Sequence, residues 1–279
     1  MDSAEILVGY DGSDESRFAL RWAAREAQLR KSPLTTCHVW HWPFAMAPGG
    51  PEILATFQSM SEHTAESGAI IARGVAHGLT VRARAVRGPA AGTLLGLSGN
   101  AAMLVVGHRG NEGFDGLLLG SVAARLAAHA YCPLVVVREP SVSEEGPVVA
   151  GVDGSPASGA VLSFAFEEAA LRGVGVRLVC GEQEPGVDAV ANAQDAGERH
   201  REAAARFERT VAPWCEKYPY VPARTSFVTT PPRRALLSAA EEATLLVVGR
   251  RGHGDIRGLL GSVSQYMTHY APCPVAIVS

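Results

Sequence analysis

Short apolar runs alternate along this chain with longer stretches in which apolar residues recur every three or four positions. The first pattern fits strands buried on both faces and the second fits helices laid against them, so the alternation predicts parallel strands joined by crossover helices. In the first half the runs place strands near Glu5–Tyr10, Leu34–Trp40, Val81–Val86, Met103–Gly107 and Leu134–Val137. Helices fall near Asp14–Arg30, Ser61–His77, Ala90–Gly99 and Val122–Ala130. The second half places strands near Val148–Val152, Val176–Cys180, Ala223–Val228, Leu245–Gly249 and Val275–Val278, and helices near Pro156–Arg172, Asp195–Lys217, Arg233–Glu241 and Val263–Tyr270. Ser13 and Ser155 stand where the first helix of each half begins and are predicted to cap it, with Pro156 at the first helical position.

The two halves are copies. ILVGYDGS at Ile6 to Ser13 returns as VVAGVDGS at Val148 to Ser155, so Asp11 matches Asp153; Gly107 and Gly110 match Gly249 and Gly252 at the same offset. YCPLVVV around Pro133 returns as PCPVAIV around Pro274. A repeat of this length is a duplicated domain, since solenoid repeats run to roughly 20–50 residues. The chain of 279 residues therefore reads as two domains, residues 1–140 and 147–279, joined by the polar, proline-bounded stretch Arg138 to Pro147. After the second strand, His41 to Met60 is a long proline- and glycine-rich connection, with Gly181 to Gln194 its weaker counterpart; such connections are lids or partner surfaces.

Composition narrows the function. A hydrophobic content of 47% supplies two cores, and a net charge of −3 argues against a general nucleic-acid binder. There is no run of roughly 18 apolar residues to span a membrane and no signal-like start, so a cytoplasmic location is expected. The five cysteines include Cys132 and Cys273 at equivalent Cys-Pro entries to the last strands, which fits small buried thiols in a reduced compartment.

Chemistry concentrates in two glycine loops, Val105 to Val122 (VVGHRGNEGFDGLLLGSV) and Val247 to Val263 (VVGRRGHGDIRGLLGSV), each between a strand and a helix. A phosphate held by backbone needs convergent N–H groups, approach without Cβ clashes and a helix N-terminus. Gly107 ends a strand, Gly110 can turn at positive φ, and Gly120-Ser121 opens the next helix. No lysine takes part, so amides and Ser121 would carry the binding, with a metal ion able to join a triphosphate. With sheet order 3-2-1-4-5, strands one and four adjoin and the crevice at their C-terminal ends is the topological switch point, where Asp11 can accept hydrogen bonds from an adenosine. The bland alternative, turns and a helix cap, would hold for a single copy; two copies of loop plus aspartate favour a nucleotide site.

Asp-Gly-Ser after strand one, G-x2-G-x9-G-S after strand four and Cys-Pro before an apolar last strand resemble the universal stress protein family over both halves, in its tandem two-domain form. The resemblance implies an α/β fold of two tandem Rossmann-like domains, each a five-stranded parallel sheet of order 3-2-1-4-5 with helices on both faces. It implies adenine-nucleotide binding, ATP with Mg2+ as its companion, in a stress-response regulator rather than a defined enzyme. By position it implies Asp11 and Val39 near the adenosine, Val106 before the loop, and Gly88-Pro89 completing the wall. Gly107, Gly110, Gly120, Ser121 and Val122 would serve the phosphates. The second half implies Asp153, Val248, Gly249, Gly252, Gly261, Ser262, Val263 and Ser264. Family members dimerise through the last strand, which implies a pseudo-twofold pairing of Leu134–Val137 with Val275–Val278 and leaves room for a homodimer.

Departures separate the halves. The second loop has eight residues between Gly252 and Gly261 where the first has nine between Gly110 and Gly120. Thr230 replaces Gly88, and Gly181 replaces Val39. The second half gains Arg250, Arg251 and Arg257, while in the first Ala123 lacks a hydroxyl and Glu112 and Asp115 bring negative charge to the loop. The first half is therefore expected to be the surer ATP site, with the second weak or vacant. A slow ATPase and a nucleotide-free interaction module stand as alternatives. There is no GxxxxGK, GxGxxG or G-x-S-x-G. Cys37 and His38 alternate across a strand, so with His41 they read as core and loop residues rather than metal ligands. His108 and His253 lie in the glycine loops, where they could contact phosphate or act as acid–base groups; exposed loop histidines are the plainer expectation. Gly197 to Thr210 reads as a solvated helix face. Trp40 and Trp42 could stack on a ligand or plug the lid.

Overall fold

The computed structural model describes residues 5–42, 50–111, 118–138, 145–182, 193–252 and 259–279, with side chains in the helix that starts at Ala193 described from Gly197. Glu112, Asp115, His253, Arg257 and parts of both long connections and of the linker lie outside the described residues. The chain divides into two compact units, Met1–Pro140 and Ser141–Ser279.

In the first unit β1 (Ile6–Gly9), β2 (Leu34–Trp40), β3 (Val81–Arg87), β4 (Met103–Gly107) and β5 (Leu134–Val137) form a parallel sheet of order β3-β2-β1-β4-β5. Helices α1 (Asp14–Arg30) and α2 (Pro51–Val75) pack together, as do α3 (Ala90–Ser98) and α4 (Ser121–His129), to flank the sheet. The central strands are apolar at every position because both faces are covered: Ile6, Val8, Leu104, Val105 and Leu134 are wholly buried. α1 presents Ala19, Leu20, Ala23, Ala24 and Ala27 to the sheet, small residues that let it lie close to β1 and β4. Ser13 caps α1 as expected, its Oγ accepting from Ser16 N–H at 3.2 Å.

The second unit repeats this with β6 (Val148–Gly151), β7 (Val176–Gly181), β8 (Ala223–Val228), β9 (Leu245–Gly249) and β10 (Val275–Val278) in the order β8-β7-β6-β9-β10, and with α5 (Ser158–Arg172), α6 (Ala193–Lys217), α7 (Pro232–Ala240) and α8 (Ser262–Tyr270). All described pairings inside each unit are parallel. The solvated face expected over Gly197 to Thr210 is found in α6, where Phe207 is the buried exception.

Two expectations are corrected. α2 starts at Pro51, ten residues before the sequence places it, with proline at the first helical position where a missing N–H costs nothing. Its first ten residues bury little, and only Leu54 and Phe57 there are even half-buried, so no apolar stripe marked them. Ser155 does not cap α5: the helix begins at Ser158 after Ala157, and Pro156 stands in the turn before it. Ser158 Oγ takes up the local bonding instead, accepting from Gly154 N–H at 3.0 Å and donating to Asp153 Oδ1 at 3.1 Å.

Candidate functional site

In the first unit the C-terminal ends of β1 and β4 open onto a cavity of about 370 Å3. Its floor is β1 and β4, through Gly9 and Val106; its sides are the glycine loop, the start of α4, and the end of β2 at Val39. The loop is closed by backbone. His108 N–H reaches Val137 carbonyl at 3.0 Å and Gly120 N–H returns to His108 carbonyl at 2.7 Å. Gly120 N–H is thus already engaged, and the donors left for an anion are those of the first turn of α4, at Ser121 and Val122. No side chain among the described residues caps that helix, so the positive end of its dipole faces the cavity. Arg109 also lines the cavity and lies 3.7 Å from Glu15.

Asp11 lines the cavity against the glycine loop. Its Oδ1 accepts from Ser13 N–H at 3.0 Å and from Ser13 Oγ at 2.5 Å, and its Oδ2 accepts from Asn111 N–H at 2.9 Å. Asn111 Nδ2 in turn donates to Asp11 carbonyl at 2.7 Å, so the aspartate ties the glycine loop to the start of α1. Burial alone would raise the Asp11 carboxyl, but the hydrogen bonds from Ser13, Asn111 and Ser16 outweigh it and hold it below its ordinary 3.8. Ser13, Asn111 and Ser16 together hold the carboxylate in place where Asp11 lines the cavity. Along β2 the residues that face β1 alternate, and Tyr10 N–H meets Cys37 carbonyl at 2.9 Å. Val39 is next on that edge, past the end of β1, while Tyr10 carbonyl is occupied by His38 Nδ1 at 2.9 Å. By that alternation the backbone N–H and C=O of Val39 lie on the β1 side of the strand beyond Gly9, where Val39 lines the cavity.

The second unit has the same parts around a smaller cavity of about 230 Å3. Gly261 N–H returns to Arg250 carbonyl at 2.9 Å, and α8 begins without a side-chain cap among the described residues. Asp153 Oδ1 accepts from Ser155 N–H at 2.9 Å. The end beside β7 differs. A Cβ at Gly181 would stand 2.7 Å from Thr230 carbonyl oxygen and 2.7 Å from Pro232 Cα, so the segment after β8 has closed onto the end of β7. Gly181→Val is expected to destabilise the protein by about 2–3 kcal/mol, because the obstacles are backbone atoms; a urea midpoint equal to that of the wild type would refute this contact.

Comparison with known proteins agrees with this architecture. The universal stress protein family profile matches residues 4–138 and again 146–279. The chain belongs to the universal stress protein family. It is 36% identical over 283 residues to a universal stress protein of Mycolicibacterium smegmatis, covering 98% of this chain and 96% of that protein. It is 35% identical over 292 residues to one from Mycobacterium tuberculosis H37Rv, covering 99% and 96%. Among solved structures, a universal stress protein of Archaeoglobus fulgidus DSM 4304 shares the fold at a TM-score of 0.73 and 17% identity, covering 100% of this chain and 99% of that one.

Within this universal stress protein, Asp11, Val39, Val106, Gly107, Gly110, Gly120, Ser121 and Val122 line the first cavity. Gly88 does not; its N–H is bonded to Trp40 carbonyl at 2.8 Å, and Ala90 and Leu94 line the cavity beyond it. Asp153, Val248, Gly249, Gly252, Gly261, Ser262, Val263 and Ser264 all line the second. Ser264 Oγ, absent at Ala123, donates to Gly249 carbonyl at 2.5 Å and so braces the loop. Gly110 is not at positive φ; a side chain is excluded there because its Cβ would collide with Asp11 Oδ2. His108 is buried, not exposed as expected, and its Nδ1 has no hydrogen-bond partner among the described residues. Trp42 packs against Phe57 at 5.3 Å and Trp40 lies under Arg87, and neither lines the cavity. Sequence reasoning missed Arg109 and Asn111, although both sit inside the first loop. Cys37 and His38 line the cavity together, with burial pushing the Cys37 thiol up to about 11. Among the described residues no three His, Cys, Asp or Glu side chains converge on a metal position, and no helix is long and apolar enough to cross a membrane.

Proposed function

We propose that the first unit binds an adenine nucleotide, ATP with Mg2+ as its counter-ion, and that occupancy makes the protein a nucleotide-dependent regulator in the stress response. The observation that carries this reading is the convergence of three complementary groups on one cavity. The uncapped start of α4 at Ser121 and Val122 faces where phosphates would lie. The ionised Asp11 carboxylate, which lines the cavity, suits a ribose hydroxyl as its acceptor. The Val39 N–H and C=O match the adjacent acceptor and donor on the edge of adenine. A volume of about 370 Å3 lies within the roughly 300–1,000 Å3 usual for small-molecule clefts. Family membership supports the regulatory role.

Calorimetric titration tests it. Wild-type protein is expected to bind ATP, and Gly120→Leu to lose it by at least roughly tenfold, since a Cβ there already comes within 3.3 Å of Arg109 Cα and 3.4 Å of His108 carbonyl oxygen, and a larger group has to push the loop backbone out of place. Circular dichroism on the variant confirms that the fold survives. Absence of ATP binding to the wild type removes the proposal.

A further inference from the structure

The second cavity keeps the phosphate end of the first and loses its base end. At the phosphate end, α8 opens at Ser262 without a side-chain cap among the described residues, and Arg251 lines the same wall. Ser155 also lines this cavity. It is 6% exposed, and its buried Oγ has no hydrogen-bond partner among the described residues, whereas its counterpart Ser13 is bonded to both Asp11 and Ser16. A buried hydroxyl without a partner costs free energy unless a bound group satisfies it. Asp153 adds a carboxylate that repels a bare anion but accepts from hydroxyl groups. At the other end, Gly181 is pressed against Thr230 and Pro232, and the volume is about 230 Å3, below the roughly 300–1,000 Å3 usual for small-molecule clefts.

We infer that the second cavity takes a small phosphorylated polyol, of the sugar-phosphate class, and rejects a nucleobase. The phosphate sits on the first-turn amides of α8 with Ser262 and Arg251, the hydroxyl-bearing carbons lie against Asp153 and Ser155, and the closed Gly181–Pro232 wall leaves no slot for a nucleobase beyond the sugar. The inference shares the helix-start argument used for the first unit but not its ligand, so each can fail alone.

The test uses the full chain carrying Gly120→Leu, so that the first cavity is blocked. Calorimetry with ribose 5-phosphate, inorganic phosphate and ATP compares the ligands. Ribose 5-phosphate is expected to bind once per chain, with ATP and inorganic phosphate each at least roughly tenfold weaker; a further Ser155→Ala change weakens ribose 5-phosphate by roughly tenfold, the loss of one hydrogen bond to a bound ligand. Gly261→Leu abolishes it, and because that change also perturbs the loop backbone, Ser155→Ala, which removes one oxygen, is the deciding variant. ATP binding as tightly as ribose 5-phosphate overturns the closed wall. Inorganic phosphate binding as tightly overturns the polyol. No ribose 5-phosphate binding, or affinity unchanged by Ser155→Ala, overturns the site itself. ATP binding to the wild-type chain bears only on the first unit.

Discussion

Gly107→Val is expected to cost the first unit about 3 kcal/mol of stability and its nucleotide affinity with it. A Cβ at Gly107 would stand 2.8 Å from both the carbonyl carbon and the oxygen of Glu15, and 3.1 Å from Arg109 carbonyl oxygen. All three are backbone, so no rotamer relieves the clash, and the first turn of α1 has to move. That turn is fixed by Ser13 and Ser16, which are bonded to Asp11, so displacement carries the aspartate away from Asn111 and loosens the loop. The second unit supplies its own control. At Gly249 the nearest atoms would be the Ala157 methyl carbon and Arg251 carbonyl oxygen, both at 3.1 Å. Gly249→Val is expected to cost about 1 kcal/mol less, since there the obstruction is partly a side chain and sits at a more tolerable distance. Urea unfolding of the two variants, with ATP titration of each, measures both effects; equal losses from the two substitutions would contradict the packing argument.

The strands of both units were legible because burial on two faces writes a nearly unbroken apolar run. Met103, Leu104, Val105 and Val106 make such a run, and the strand they form ends at the expected glycine. The glycine loops and their aspartates were legible because close backbone approach excludes side chains and the duplication shows the exclusion twice. Contacts between distant segments were not legible. Gly181 and Thr230 each stood out as departures from the first half, yet nothing in the one-dimensional pattern says that they touch, or that Pro232 makes the contact a wall. The start of α2 was hidden for the opposite reason, since Pro51–Met60 packs on little and so carries no stripe. Ser155 was misread because a capping residue and an unsatisfied hydroxyl look alike until the helix start is fixed, and α5 starts three residues later.

His108 makes the first unit sensitive to acid in a window that Asp11 does not touch. Burial lowers its pKa most, and the guanidiniums of Arg138 and Arg109 lower it further, against the pull of Glu15 and a backbone hydrogen bond with Val137; the imidazole falls from 6.5 to about 4. An unfolded chain binds the proton near 6.5 and the folded one only near 4, so between those values the unfolded state holds more protons and stability rises with pH. The contribution is complete above 6.5 and is lost as pH falls toward 4, at most about 3 kcal/mol in all. Asp11 acts lower: its carboxyl is held below 3.8, so its contribution disappears only as pH falls through that region. His108→Gln removes the first window and leaves the second. Urea unfolding at about pH 7 and about pH 4.5 is therefore expected to show a large drop for the wild type and a small one for the variant. The same drop in both would mean that the ring takes up its proton without leaving the fold, and that the two guanidiniums do not confine it.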